Sequence, residues 1–248
     1  MDRRSKVNPV LKPVEAKGSN GDHMDSINKM SEVDTFSGQE RDALKIIHPR
    51  MSNQKILNIF RELRTQLLQK SGGKNFVCMV SSICNEGGGT YVSTNLATAF
   101  ALDKTKTSLI IDGNLYSPDL NKLIVGEADQ GVTDYLSGGD MDIKDIVYAT
   151  GIPRLRVIPI GNNVEGAAEY FSSAKMEAFI DTVKGRYPDR FIFIDSPPVI
   201  DSSEARILGN VSDLVILVVP YGKATPEQIE EAVDAIGKDK LVGLIYNN

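Results

Sequence analysis

A doubly wound α/β fold, with a mostly parallel sheet and helices on both faces, is predicted by three observations. From Phe76 to Tyr246, strand-length apolar runs alternate with segments of helical period. The runs are continuously apolar rather than alternating, which suits strands of a parallel sheet covered on both faces. The first run leads through a glycine-rich turn into a helix, and folds of this kind hold ligands at the carboxyl ends of their strands.

Residues 1–50 are rich in Lys, Asp, Ser, Asn and Gly, and read as a flexible N-terminal arm of the kind that orders on a partner. Ser26 to Met30 is a candidate helical turn within it. Residues 51–248 form the domain. Ser52 to Lys70 reads as its first helix, with Ile56, Leu57, Phe60, Leu63, Leu67 and Leu68 as an apolar stripe and Ser71-Gly72-Gly73 as its stop. Strands are expected at Phe76–Ser81, Ser108–Asp112, Arg156–Pro159, Phe191–Asp195, Leu214–Val219 and Leu241–Tyr246. Helices are expected at Thr90–Leu102, Val132–Leu136, Ala174–Arg186, Ser203–Leu208 and Pro226–Ile236. Leu136 to Asp140 is a turn, and no internal repeat is present.

Composition excludes several classes. With 41% hydrophobic and 25% charged residues the chain reads as a globular protein. A net charge of −5 and a pI near 5.2 argue against nucleic acid as a partner. No run approaches the ~20 apolar residues of a membrane span, and Arg3, Arg4 and Lys6 precede no apolar segment, so a cytoplasmic chain is expected. Cys78 and Cys84 have no disulfide or metal spacing; Cys78 reads as a buried small hydrophobe. His23 and His48 form no pair and lie outside the expected core.

Val80-Ser81-Ser82-Ile83-Cys84-Asn85-Glu86-Gly87-Gly88-Gly89-Thr90 has the layout of a phosphate-binding loop: strand, glycine-rich turn, helix. Backbone N–H groups point into such a turn, and the helix N-terminus favours an anion. The usual pattern closes in Gly-Lys-Ser/Thr, with Lys on the β/γ-phosphates and the hydroxyl on Mg²⁺. Gly89 stands in the lysine position and Thr90 keeps the hydroxyl. Asp112 and Asp195 each follow a buried strand, where carboxylates beside a phosphate loop hold Mg²⁺ or orient the attacking group. A cap or turn role is the plain reading of either alone; both in order after the loop favour a nucleotide site. Asp201 and Glu204 have capping-box spacing.

Several stretches resemble one family, the cytoplasmic domain of bacterial tyrosine kinases of capsule and exopolysaccharide synthesis, which are P-loop proteins of the MinD/ParA type. Phe60-Arg61-Glu62-Leu63-Arg64-Thr65-Gln66-Leu67 is similar to the family's Phe-Arg-x-Leu-Arg-Thr-Asn-Leu helix, and Asn95-Leu96-Ala97 to its post-loop helix. Asp112-Gly113-Asn114-Leu115-Tyr116-Ser117-Pro118 resembles Asp-Ala-Asp-Leu-Arg-Arg-Pro, and Gly131 to Gly138 resembles Gly-Leu-x-Asp-x-Leu-x-Gly. Asp195-Ser196-Pro197-Pro198 matches Asp-x-Pro-Pro, and Gly243 to Asn247 matches the closing Gly-x-x-x-Asn.

The resemblance implies catalytic roles for Asp112 and Asp195, and Mg²⁺ ligation by Thr90, Asp112 and Asp195. It implies ATP or ADP binding by Glu86, Gly87, Gly88, Gly89, Thr90, Tyr91 and Asn247. It also implies a membrane-embedded chain-length regulator as partner, a place at the inner face of the plasma membrane through that partner, and a homo-oligomer contact through Arg61 and Arg64.

The departures bear on activity. The loop lysine is Gly89, the second aspartate of the Asp112 motif is Asn114, and a glutamate of the oligomerisation motif is Asn58. The family carries a C-terminal tyrosine cluster; Tyr246, in an expected strand, is the tyrosine near Asn248. A hydrogen bond to a charged group contributes about 1.5–3 kcal/mol, so nucleotide affinity falls roughly 10- to 100-fold. A missing cation in phosphoryl transfer costs ~10³–10⁵ in rate. The expectation is a degenerate member, a pseudokinase that holds Mg-nucleotide weakly or not at all and acts by assembly. Two alternatives stand beside it: an active ATP-dependent tyrosine kinase whose cation comes from elsewhere, such as Arg61 or Arg64 of a neighbour, and a positioning ATPase of the MinD/ParA type.

Overall fold

The strands are β1 (Val77–Ser82), β2 (Thr107–Asp112), β3 (Tyr148–Ala149), β4 (Leu155–Ile158), β5 (Arg190–Ser196), β6 (Leu214–Pro220) and β7 (Leu241–Asn247). They make one seven-stranded sheet, ordered β3-β4-β2-β5-β1-β6-β7, parallel except for the short antiparallel β3 at one edge. The computed structural model describes residues 35–138, 141–162, 167–172, 174–186 and 190–248. The expected Ser26–Met30 turn lies outside them, as do Gly139 and Asp140 of the turn after Leu136.

Helices α1 (Gly38–Ala43), α2 (Gln54–Lys70) and α3 (Gly89–Ala101) cover one face; α4 (Val132–Ser137), α5 (Ala167–Phe171), α6 (Ala174–Arg186), α7 (Ser203–Asn210) and α8 (Pro226–Ile236) belong to the other. The two-sided burial follows from the strand composition. Cys78, Val80, Ile110, Phe191 and Phe193 pack under α2 and α3, while Val77, Met79, Leu109, Ile111, Ile192 and Ile194 pack under α6 and α7. This alternation puts the strand-end residues Asp112 and Asp195, each two positions beyond an α3-facing residue, on the α3 face as well.

Residues 36–48, assigned above to a flexible arm, pack on this face. Ile46 and Ile47 are buried, the Ile47 amide donates to Asn95 Oδ1 at 2.7 Å, and Asn95 Nδ2 donates to the Lys45 carbonyl at 3.0 Å. His48 is likewise buried rather than outside the core, with Nε2 2.9 Å from Asp42 Oδ1. The reason is local: an Ile-Ile pair has no low-cost place in water, and Ser37 with Glu40 closes a capping box that starts α1. The Asp201–Glu204 pairing is also corrected. Ser202 caps α7, its hydroxyl accepting from the Ala205 amide at 3.3 Å. Glu204 is buried and takes hydrogen bonds from the hydroxyls of Ser202 and Tyr116, each at 2.6 Å. No helix among the described residues is long and apolar enough to cross a membrane.

Candidate nucleotide site

β1 lies between β5 and β6, so the loop after it opens where strand order diverges, the crevice position of doubly wound sheets. At two of its glycines the loop is wound too tightly for a side chain. A Cβ on Gly87 would lie 2.6 Å from Ser82 Cβ. At Gly88 the backbone is left-handed (φ 87°) and a Cβ would sit 2.2 Å from Asn247 Nδ2. Gly88 is the N-cap of α3 and supplies no side-chain cap. The first amides of the helix therefore face outward without an intrahelical acceptor, and α3 is long enough to carry a substantial dipole. These features fit a phosphate tail.

Three strand ends brace this cradle. The Val199 amide donates to the Ser82 carbonyl at 3.0 Å, and Ser81 Oγ donates to the Pro197 carbonyl at 2.7 Å, tying the Asp-Ser-Pro-Pro segment to β1. Asn247, expected to contact the nucleotide, donates from Nδ2 to the Gly87 carbonyl at 3.1 Å and so holds the loop itself.

Asp112 and Asp195 are register partners on β2 and β5, both buried. Gly113 sets their approach: its amide donates to the Asp195 carbonyl at 2.8 Å, and a Cβ there would meet Leu208 Cδ1 at 2.7 Å. Ser93 Oγ donates to Asp195 Oδ1 at 2.9 Å, and the Thr90 hydroxyl also bonds this carboxylate. Asp112 Oδ1 accepts from the Asn114 amide at 3.0 Å and Oδ2 from the Leu120 amide at 3.3 Å, so this carboxylate shapes the 113–120 segment. Burial pushes Asp112 up to about 7, with the Asp195 charge adding to the rise, and burial pushes Asp195 up to about 6. Two hard, buried carboxylates and the Thr90 hydroxyl beside a phosphate cradle are a donor set suited to Mg²⁺, which binds through one or two carboxylates plus phosphate oxygens. No cluster of three or more His, Cys, Asp or Glu that could hold a metal by protein ligands alone occurs among the described residues.

The raised values carry a sign for stability. A carboxyl whose folded pKa lies above its unfolded one favours the fold most below the unfolded pKa, and that contribution is lost as pH rises through the folded pKa. For Asp195 the loss falls between about pH 4 and pH 6. With divalent cations chelated, Asp195→Asn is expected to raise the unfolding free energy by roughly 1–3 kcal/mol at pH 8 and to leave it near wild type at pH 4. Urea unfolding at the two pH values checks this; equal stability at pH 8 contradicts it.

The remaining expected residues divide. Glu86 stands at the loop crown, exposed and left-handed (φ 54°), with Oε2 3.2 Å from Lys223 Nζ. Tyr91 turns away, its half-buried ring 6.0 Å edge-on from Phe60, leaving its backbone for a ligand. Arg61 and Arg64 part company: Arg61 is exposed on α2, while Arg64 Nη1 donates to the Ala99 carbonyl of α3 at 2.9 Å. Lys223 was not expected. Its signal was its place just beyond a buried strand, on the β6 side of the loop.

No family model matches the chain. It is 30% identical over 191 residues to the tyrosine-protein kinase CpsD of Streptococcus agalactiae (serotype III, strain NEM316), covering 76% of this chain and 80% of the relative. It is 30% identical over 214 residues to the tyrosine-protein kinase YwqD of Bacillus subtilis (strain 168), covering 85% and 87%. The kinase domain of the Escherichia coli tyrosine kinase ETK superposes with a TM-score of 0.71 at 22% identity, over 77% of this chain and 75% of that one. The septum site-determining protein MinD of Pyrococcus horikoshii OT3, solved with Mg-ADP, gives 0.56 at 23% identity over 68% of each chain. At these identities the two structures bear on the fold alone, which is that of the MinD/ParA P-loop proteins. The two sequence relatives, each matched over most of its length, decide the family: this chain belongs to the bacterial tyrosine-protein kinases.

Proposed function

We propose that this chain is a degenerate member that holds Mg-nucleotide weakly and turns it over very slowly, serving capsule or exopolysaccharide synthesis by docking on a membrane-embedded chain-length regulator. The observation that carries the reading is Gly89. It is the first residue of α3, in a loop whose glycine packing fits a polyphosphate, and it brings no charge to it. Asp112, Asp195 and Thr90 are the residues that would hold Mg²⁺, which when bound neutralises charge on the phosphoryl oxygens. Asp195 is held by Ser93 and Thr90, so α3 positions the carboxylate and the anion cradle together. Docking on the regulator, and the place at the inner membrane face that follows from it, rest on the family resemblance. For a contact between copies, α2 offers the exposed Arg61 and Ile59, whereas Arg64 is engaged within the chain.

A calorimetric titration with Mg-ATP and Mg-ADP tests the nucleotide reading. Saturable binding is expected, and Gly88→Ala is expected to abolish it, because the added methyl displaces Asn247 and strains the loop. Absence of saturable binding, or binding indifferent to Gly88→Ala, contradicts it. For the docking part, the purified chain is expected to sediment with membranes carrying the regulator and to stay in solution with membranes that lack it. Equal behaviour with both removes that part.

The active-kinase alternative keeps one supporting observation: the Asp112 and Asp195 carboxylates and the Thr90 hydroxyl remain assembled. Phosphotyrosine formation from radiolabelled ATP that Asp112→Ala abolishes would favour it.

A further inference from the structure

Resting on the nucleotide reading above, we propose that Lys223 is a phosphate-binding residue: it swings from Glu86 onto the polyphosphate tail of the bound nucleotide and supplies from outside the loop the cation that Gly89 does not. The turn that carries it is fixed beside the cradle. The Tyr221 amide donates to the Asn247 carbonyl at 2.7 Å, the Lys223 amide to the Pro220 carbonyl at 3.3 Å, and Gly222 takes the left-handed conformation (φ 69°) that closes the turn. Asn247, the partner of Tyr221, is the residue whose side chain holds the Gly87 carbonyl at 3.1 Å. One brace thus joins the Lys223 turn to the glycine-rich loop.

At the end of that turn, Lys223 Nζ lies 3.2 Å from Glu86 Oε2, over the loop crown. Both side chains are well exposed, so the pair is weak and the lysine leaves it at little cost. A Mg-nucleotide still carries net negative charge on its phosphate oxygens. An ammonium group attracts it more strongly than it attracts a single solvated carboxylate at similar distance. The uncompensated Glu86 carboxylate then repels the same anion, so two charges at the crown act on the ligand with opposite sign. A cation at the crown that grips the phosphate tail equally in the ground state and the transition state lowers the dissociation constant and leaves turnover slow.

The plain alternative is that Lys223 only neutralises Glu86, and a double-mutant cycle separates the two. Affinities for Mg-ATP, and for magnesium tripolyphosphate as a probe without base or sugar, are measured by calorimetry for the wild-type chain, Lys223→Ala, Glu86→Gln and the double variant. Both side chains are exposed, so all four proteins are expected to melt at nearly the same temperature. Lys223→Ala is expected to weaken both ligands about tenfold in the wild-type chain and again about tenfold in the Glu86→Gln background. Glu86→Gln alone is expected to tighten them. A lysine effect that disappears in the Glu86→Gln background overturns the proposal and leaves nucleotide binding intact. If neither wild-type chain nor Glu86→Gln variant takes up Mg-ATP at millimolar concentration, the nucleotide reading fails and the role of Lys223 falls with it.

Discussion

Lysine in place of Gly89 is expected to raise Mg-ATP affinity about 10- to 100-fold and turnover by ~10³ or more, while Gly89→Ala changes neither appreciably. Gly89 is the first helical residue of α3, and a Cβ there would come 3.2 Å from the Ser82 amide nitrogen, so a side chain fits after a shift of a few tenths of an ångström. Without nucleotide the new charge opposes the helix dipole by about 0.3–1 kcal/mol. Replacing a helical glycine offsets this by up to about 1 kcal/mol, so the free variant stays near wild-type stability. Adding Asn114→Asp preserves the local turn, because Asn114 Oδ1 already accepts from the Ser117 amide at 3.2 Å and a carboxylate accepts equally well. Steady-state ATP hydrolysis by the three variants checks the expectation. A Gly89→Lys chain that binds and hydrolyses ATP as the wild type does would show that the missing ammonium is not what limits this site.

Phe100→Ala is expected to cost about 3–5 kcal/mol of unfolding free energy. Phe100 is fully buried at the end of α3, its ring centroid 5.6 Å from Phe76, 4.6 Å from Phe191 and 5.2 Å from Phe193. This knot seats α3 on β1 and β5, the arrangement that holds Ser93 against Asp195 and the loop amides above the sheet. Domains of this size are stable by roughly 5–15 kcal/mol, so the loss approaches the whole margin. The expected result in urea is a lower midpoint with an unchanged slope. A loss under about 1 kcal/mol would mean that α3 is seated chiefly by other contacts, such as the Asn95 bonds to Lys45 and Ile47.

Most of this architecture is legible in the sequence because the signals are strong ones. Ala174–Arg186 and Pro226–Ile236 are found at the expected positions, and the six expected strands recur within one or two residues. Continuous apolar runs such as Leu214 to Val219 have no low-energy place except a covered sheet. What escapes is short or atypical. Tyr148–Ala149 is too brief for any period to show, and α5 spans five residues. Helix α1 buries no residue, so hydrophobic pattern could not reveal it, although its Ser37–Glu40 capping box and the following Ile46-Ile47 pair were readable. In the site, the loop and the two strand-end aspartates follow from order along the chain. The roles of Asn247 and Lys223 do not, because each depends on which strand lies beside which, and that of Tyr91 depends on how α2 packs against α3. Only the sheet order brings β6 and β7 to the same side of the loop.

Phosphoryl turnover at saturating Mg-ATP, measured side by side with the Streptococcus agalactiae CpsD relative, tests the account most directly. The account predicts a rate at least ~10³ lower in this chain, with Mg-ADP still raising its melting temperature. A rate within about tenfold of the relative's, abolished by Asp112→Ala, would contradict it.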